Sequence, residues 1–421
     1  MTVTNAQNQT AQHEILMRGW LESYKPGKNP DAGGLIRVRG DNTIREAIVP
    51  KRVTGVEDIP TQSIVEVYGY AGEGDEPAIA TDIEVLNRAE ALPVDLRNIE
   101  LSNDRYRHLH LRTPKLRAAL MFRHFVQKYA REFLESRGYF HVHTPILTEA
   151  SCVCSGDVFT FPYYNKKIAT LIQSPWMYAD SLVGSLEKVY ALNPSFRRER
   201  EPTTTHLVEI WQLQVDGAWE TNETAMTLEE EFIRYMANML RSNHADLYSM
   251  AGLSMAHLND FEKSYPRITY DESVKRIRKL GFEMEYGDDF DDDALHALGK
   301  EFGSPFFVTT YPKRLKNFWF PQLEENPELT PSNDLFSHTG QGEIIGGGER
   351  VNSADQLASN LEYYGHDLDE FDWFLETRKY GCVPHAGFSV GFDRLTAMLM
   401  GVDHINKATV YPRLPQGGLR P

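Results

Sequence analysis

Between residues 14 and 95, apolar and polar positions alternate in five short runs: ILMRGWLESY, GGLIRVRG, TIREAIV, SIVEVYGYA and AIATDIEVL. Clusters of Gly, Pro, Asn and Asp separate them. A period of two marks a strand with one buried face, and turn residues between such runs mark tight connections, so the spacing predicts a small five-stranded barrel. The stretch NRAEALPVDLRNIELSNDRYRHLHLRTP breaks the alternation and reads as a linker. From Lys115 the period changes. Leu116, Leu120, Phe122, Phe125, Val126, Tyr129, Phe133 and Leu134 recur at helical spacing until Gly138 stops the helix, and YFHVHTPIL follows as a strand ending at Pro145. The organisation expected is a barrel domain over 1–95, a linker over 96–114 and a larger domain over 115–421, without internal repeats or low-complexity tracts.

Composition sets bounds on this outline. A chain of 421 residues with 41% hydrophobic and 25% charged residues has the balance of an ordinary globular protein with ample length for a large core. No apolar run approaches the ~20 residues that span a bilayer. The start MTVTNAQNQTAQHE has neither a basic nor an apolar signal segment, which predicts a cytoplasmic address without membrane partners. Cys152, Cys154 and Cys382 form no CxxC pair, so neither a disulfide framework nor a zinc site is expected. A formal charge of −16 argues against broad nonspecific nucleic-acid binding, though a local basic groove is compatible with it.

The candidate chemistry is concentrated in three stretches of the larger domain. The first is FRRERE, residues 196 to 201, between the strand-like KVYALNPS and LVEIWQLQVDGAW; an arginine at the start of such a hairpin can face a phosphate, whereas most charge runs form a solvated face. The second is NDLFSHTGQGEIIGGGER. There Asp334 and Glu343 sit on strand-like segments around glycines, with Arg350 beyond; two carboxylates brought together by antiparallel pairing could hold Mg²⁺, whereas this segment alone reads by default as a hairpin with surface acids. The third is HAGFSVGFDRLTAMLMG, a glycine-spaced strand running into an apolar helix near Asp393 and Arg394, where an arginine can lie flat against a ring or a phosphate; the glycine spacing alone is a weak signal and equally fits Arg394 as a surface residue.

In this order and spacing, the three stretches resemble the three motifs of the class II aminoacyl-tRNA synthetases. The helix with YFHVHTP resembles motif 1, FRRE motif 2 and GFSVGFDRL motif 3, while GEIIGG and YGCVPHAGF narrow the resemblance to the asparaginyl and aspartyl branch, nearer the asparaginyl side. It covers nearly the whole chain. It implies an α+β fold, a class II antiparallel sheet with flanking helices, preceded by an OB-fold barrel of the anticodon-binding kind, and a homodimer paired through Lys115 to Pro145. It also implies ATP and Mg²⁺ as cofactors, and catalysis by positioning and electrostatics without a protein nucleophile. Under the resemblance Arg197 contacts the α-phosphate and stabilises the charge developing there. Glu199 meets the adenine amino group, Arg394 covers adenine and reaches the terminal phosphate, and His206, Ile210 and Gly391 complete the nucleotide site. Asp334 and Glu343 hold the metal. Ser174 and Arg350 belong to the substrate pocket, Arg350 at the side-chain end.

Several positions depart from that pattern. Val153 and Cys154 stand where the branch has a Glu-Gly pair that holds the substrate's α-ammonium, Trp176 replaces a second ammonium-binding glutamine, and Gln214 replaces an acid beside the substrate. A buried ammonium without partners costs several kcal/mol. Thr205, Ile210 and Ser389 replace an arginine, a phenylalanine and a glycine about the nucleotide. In the barrel, Leu35 replaces a base-stacking aromatic and Arg45 a base-reading glutamine, and the first hundred residues hold sixteen acidic against ten basic side chains, all of which counts against sequence-specific tRNA reading. These departures predict an ATP-dependent, AMP-forming ligase that passes a small carboxylic acid to ammonia or a small amine without tRNA. The alternative is an asparagine-charging tRNA synthetase, and a non-catalytic regulatory paralogue stands third.

Overall fold

The computed structural model describes residues 14–28, 33–71, 77–96, 104–149, 158–198, 203–415 and 417. Val153 and Glu199, like Cys152 and Cys154, lie outside the described residues. The chain divides into two compact units, Met1–Asp95 and Leu96–Pro421.

The first unit is a closed five-stranded barrel of β1 (Glu14–Lys25), β2 (Gly34–Gly40), β3 (Thr43–Val49), β4 (Ile64–Tyr70) and β5 (Ala78–Asn87), in the order β1-β2-β3-β5-β4. The alternation in the sequence becomes an inside and an outside. Ile36 and Val38, Ala47 and Val49, and Val65 and Val67 point inward in pairs two residues apart, and Met17, Leu21 and Ala80 fill the remaining space. The long first strand pairs with both β2 and β4, and Gly19 lets it pass: a Cβ there would sit 1.9 Å from the carbonyl oxygen of Arg39. Closure comes from the parallel pairing of Ala47 and Ile48 with Ala78 and Ile79. Five strands closed in this way have the OB-fold architecture.

The second unit begins with the short α1 (Arg107–His110). Buried Arg107 donates to the carbonyls of Asn406 and Val410, which fastens this segment to the C-terminal end of the unit. Next comes α2 (Pro114–Ser136), started by Pro114 in its first turn and by the Thr113 hydroxyl, which accepts from the Leu116 amide. Gly138 ends it in the left-handed region, φ 80°, where glycine carries no Cβ penalty. Leu116, Phe122, Val126, Tyr129, Phe133 and Leu134 are buried, as the helical spacing predicts, whereas Leu120 is exposed. The strand expected from Tyr139 to Pro145 is shorter than the pattern suggests. Only β6 (Phe140–His141) pairs, in parallel with a later strand, before the chain turns at Pro145.

A small sheet of β7 (Leu147–Thr148), β8 (Thr160–Pro162) and β9 (Ile168–Leu171) leads to α3 (Trp176–Leu186). Then follow the hairpin β10 (Lys188–Phe196) and β11 (Glu209–Ala218), α4 (Asn222–Asn243), α5 (Ala245–Ala251), β12 (Arg267–Thr269), α6 (Tyr270–Lys279), α7 (Asp292–Phe302), β13 (Phe306–Pro312), β14 (Leu329–Phe336), β15 (Glu343–Glu349), α8 (Ala354–Tyr363), α9 (Asp372–Lys379), β16 (His385–Gly391) and α10 (Phe392–Met400). The central sheet has the order β12-β13-β14-β15-β16-β11-β10-β6 and is antiparallel except at its two edges.

Side-chain alternation gives this sheet two different faces. Leu213 and Val215 of β11, Phe388 and Val390 of β16, Ile345 of β15 and Leu335 of β14 join α2, α4 and α10 in the largest core. The residues between them, Gln212, Gln214 and Asp216 on β11 and Ser389 on β16, face the other side, where the chemistry lies. The first motif thus packs on the back of the sheet, while the strand of the third presents Ser389 to the front and Phe388 and Val390 to the back. Among the described residues no helix is long and apolar enough to cross a membrane.

Candidate active site

The front of the sheet forms the floor of a cavity of about 470 Å³, lined at one end by Arg197, His206, Ile210, Gly391 and Arg394 and elsewhere by Ser174, Trp176, Gln214, Asp334, Glu343 and Arg350. Every site residue expected from the sequence that lies within the described residues therefore borders one space. They come from strands and helices up to about 220 positions apart in the chain, and the sheet brings them together by register: Phe196 pairs with Glu209, Gln212 with Gly391, Gln214 with Ser389, and Gly346 with both Ser389 and Asp334.

Arg197 follows directly on β10 and its backbone is tied to Val208 by a 2.9 Å hydrogen bond, so its side chain starts from a fixed point. With its amide nitrogen turned to Ser195 Oγ (2.8 Å) and the Gln173 carbonyl (3.1 Å), Gln212 accepts from Arg197 Nη2 at 3.2 Å. The guanidinium Nε is buried without a partner among the described residues, which leaves donor capacity for a ligand oxygen. Arg394, in the first turn of α10, is held by three contacts: Nε donates to the Thr205 carbonyl, Nη1 to the Glu343 carbonyl, and Nη2 to His206 Nε2 at 3.0 Å. The last bond makes Nε2 of His206 the acceptor. Its proton therefore sits on Nδ1, 2.7 Å from the Thr203 hydroxyl. Asp393 turns the other way, buried against Arg123 and the Trp211 amide, and ties α10 to α2 and β11.

The acidic end depends on a glycine. A Cβ on Gly346 would sit 2.7 Å from Glu343 Oε1 and 3.2 Å from Asp334 Oδ1, so both carboxylates converge over a position that only glycine leaves open. Glu343 is open to the cavity, yet the enclosing walls and then Asp334 push its carboxyl above the ordinary range, while Lys316, Arg394 and Arg197 oppose the rise. Lys316 reaches Asp334 with Nζ at 2.6 and 2.7 Å. Among the described residues no three acidic, His or Cys side chains form a metal cage. Two carboxylates fit Mg²⁺ in its usual manner, bound through one or two protein ligands while the phosphates it accompanies supply others.

The third region is aromatic and polar together. Trp176 opens α3 with its ring 4.3 Å from that of Trp319 and T-shaped to Phe374 at 5.3 Å; it is 3% exposed, and Ser174 Oγ accepts from its amide. Arg350 lies over Trp176 and Phe320 with its guanidinium carbon 5.7 and 5.3 Å from the ring centres, and Nε 3.5 Å from Asp216 Oδ1. Behind this pair, fully buried Asp180 is bridged by Arg378 (2.6 Å) and His385 (2.9 Å). Burial alone would raise the Asp180 carboxyl, but Arg378 and His385 hold it well below its ordinary value. Burial likewise opposes the charged imidazole, and Asp180 outweighs it, pushing His385 up to about 10. Both ring nitrogens have acceptors, Asp180 Oδ2 and the Val383 carbonyl, as an imidazolium requires.

Sequence reasoning missed Asp216, Lys316, Gln212 and Trp319. Asp216 and Gln212 stand two positions either side of Gln214 on a strand, so the period of two was a usable signal. Lys316 and Trp319 lie in the connection after β13, where no periodic signal exists.

This architecture and site define a class II synthetase. Residues 100–415 match the family model for class II tRNA synthetases of the D, K and N type, and the chain belongs to that family. It is 33% identical to an asparagine–tRNA ligase of Pyrococcus abyssi over 95% of both chains, and 36% identical to one of Thermococcus kodakarensis over 96% of this chain and 95% of the other. It superposes with a TM-score of 0.89, at 32% identity and covering 96% of this chain and 95% of the other, on the crystal structure of the Pyrococcus horikoshii asparaginyl-tRNA synthetase complexed with asparaginyl-adenylate. The chain is thus an ATP-dependent ligase of the asparaginyl and aspartyl branch.

These similarities overturn the expectation of a tRNA-independent ligase joining a small acid to ammonia or a small amine, and with it the reading of tRNA as a doubtful partner. The physical reason lies in how the departures are packed. Trp176 is absorbed into an aromatic cluster with Trp319, Phe318 and Phe374, and Gln214 and Ser389 are bonded to each other. Such exchanges are accommodated by packing within the cavity wall and say nothing about the acceptor.

Proposed function

We propose that this chain activates asparagine with ATP as an enzyme-bound asparaginyl-adenylate and transfers the asparaginyl group to tRNA. The observation that carries this reading is end-to-end similarity, through both units, to proteins named as asparagine–tRNA ligases. In the first step an oxygen of the asparagine carboxylate attacks the α-phosphorus, the bond to the bridging oxygen breaks, and pyrophosphate leaves. Arg197 donates to the α-phosphate oxygens where negative charge accumulates, and Gln212 keeps its guanidinium in place. Arg394, fixed by His206 and two carbonyls, covers the adenine and reaches the terminal phosphate, with Ile210 and Gly391 beside the base. Asp334 and Glu343 would hold Mg²⁺, which offsets the phosphate charge when bound. Arg350 orients the amino acid from the side-chain end, and Ser174 and Trp176 close the wall beside it. In the second step a ribose hydroxyl of the tRNA end attacks the activated carbonyl and AMP departs. The protein supplies no nucleophile; its contribution is alignment and fixed charge.

The purified chain is expected to catalyse asparagine-dependent ATP–pyrophosphate exchange and to load labelled asparagine onto total tRNA. Exchange without loading would sink the transfer half of this reading. We further propose a homodimer formed through the first motif. Leu120, Phe140, Ile146 and Leu147 are large apolar side chains exposed in or next to that segment, an arrangement that favours burial against a second copy. Light scattering is expected to give twice the chain mass at micromolar concentration, and a stable monomer would refute the pairing.

A further inference from the structure

Two departures from the family pattern, Gln214 and Ser389, are direct partners across the β11–β16 ladder. The Ser389 hydroxyl donates to Gln214 Oε1 at 2.6 Å, and Gln214 Nε2 donates to Asp216 Oδ2 at 2.7 Å. The other oxygen of Asp216 faces Arg350. Gln214 and Asp216 have no exposed surface and Arg350 is 5% exposed. The space for Asp216 is built in: a Cβ on Gly387, its partner across the ladder, would sit 2.0 Å from Oδ1. The hydroxyl thus donates to the amide and the amide to the carboxylate, whose other oxygen stands 3.5 Å from Arg350 Nε as its counter-ion. The carboxamide orientation is fixed, because only its nitrogen can donate to Asp216.

The same strand measures the cavity. Gln212 contacts Arg197, Asp216 contacts Arg350, and four residues of strand separate the two by roughly 13 Å. Arg350 thus stands at the end of the cavity remote from the phosphate chemistry, where the amino acid's side chain lies.

We propose that Gln214 and Ser389 are positioning residues that hold Asp216 against Arg350, so that the guanidinium meets the substrate side chain already neutralised and the site selects a carboxamide over a carboxylate. This rests on the asparagine reading above. A guanidinium without a counter-ion attracts aspartate more strongly than asparagine. With Asp216 beside it, an aspartate side chain becomes a second buried anion on one cation, whereas the oxygen of a carboxamide accepts the same N–H without adding charge. Discrimination comes from the repulsive element as much as from the attractive one.

Burial pushes Asp216 up to about 6, opposed mainly by Arg350, so it is ionised at neutral pH and gains a proton below that. The other groups facing it keep their charge through this window: Asp180 on α3 is held well below it, His385 on β16 sits near 10, and Arg378 on α9 is raised. Tyr139, pushed high by burial, stays neutral.

The test is ATP–pyrophosphate exchange with asparagine and with aspartate, compared as a ratio of kcat/KM. Asp216→Asn is expected to lower the asparagine-over-aspartate ratio more than about tenfold, Gln214→Leu and Ser389→Ala each about three- to tenfold, while Ser389→Thr, which keeps the hydroxyl, restores most of it. In the wild type the ratio is expected to fall as pH drops through about 6, and in Asp216→Asn to be flat. A purely structural role would lower both substrates alike and leave the ratio and its pH profile unchanged; that result overturns the inference. If Asp216→Asn fails to fold, Gln214→Leu and the Ser389 pair, which keep the buried charges, decide the matter. A wild type that activates neither amino acid overturns the functional reading and this inference with it, whereas activation of asparagine with unchanged ratios in the variants overturns the inference alone.

Discussion

Replacing Arg197 by alanine is expected to abolish adenylate formation, lowering asparagine-dependent ATP–pyrophosphate exchange by about 10³-fold or more, with the fold intact. The argument starts from the side chain's position. Arg197 follows the last residue of β10, is only partly buried, and makes its side-chain contact with Gln212 at the cavity edge, so its loss opens no core. Its Nε has no partner among the described residues, which means the resting protein does not use its full donor set. Such a group acts most strongly where new negative charge appears, at the α-phosphate during attack, so kcat should fall much more than the KM for ATP rises. Arg197→Lys keeps the charge but loses the planar fork and should recover only part of the rate. Exchange assays with circular dichroism as the folding control check this. Near-normal exchange by the alanine variant would remove Arg197 from the phosphate site.

Much of this site was legible in the sequence because strand and helix periods encode faces. The alternation in the first unit specified the barrel interior at Ile36, Val38, Val65 and Val67, and the helical spacing after Lys115 specified the buried side of α2. Arg197, Asp334, Glu343 and Arg394 could be picked out because glycines and strand boundaries bracket them. What the sequence did not carry was mutual contact. Gln214 and Ser389 are 175 positions apart, and their hydrogen bond exists only because β11 and β16 are neighbours in that register. Read singly, each looks like a lost ligand; read together, they are one hydrogen-bonded pair. The same holds for Trp176, whose partner Trp319 comes from a connection without periodicity. The mistaken inference of a different acyl acceptor rested on Val153, Trp176 and Gln214 at the expected ammonium site and on Leu35 and Arg45 in the barrel.

Replacing Asp180 by asparagine is expected to destabilise the larger unit by about 3–5 kcal/mol, the usual cost of removing one partner from a buried ion pair. Asp180 has essentially no exposed surface and compensates two cations, Arg378 and His385, whose side chains are 2% and 1% exposed. Asparagine preserves the volume but removes the anion, leaving two charges in a dry interior. Arg378 cannot discharge, and His385 can do so only by giving up a bond that both its nitrogens now make as donors. The sign of the pH dependence follows from the two shifts. His385 is raised to about 10 in the folded chain, so its share of the stability is complete below its unfolded value near 6.5 and is lost as pH rises toward 10. Asp180 is lowered, so the same interaction is complete above the unfolded carboxylate value and is lost as pH falls below it. The pair therefore stabilises most between about pH 4 and 6.5, with a decline on the alkaline side that belongs to His385. Urea unfolding followed by tryptophan fluorescence at pH 6, 8 and 9.5 should show the wild type losing stability across this series, and Asp180→Asn starting lower and losing less. Parallel pH curves for the two proteins would mean that Asp180 does not set the charge of His385. Because the Arg350 amide donates to the His385 carbonyl, the variant should also bind asparagine more weakly under conditions where it remains folded, which links the buried charge cluster to the Arg350 end of the cavity.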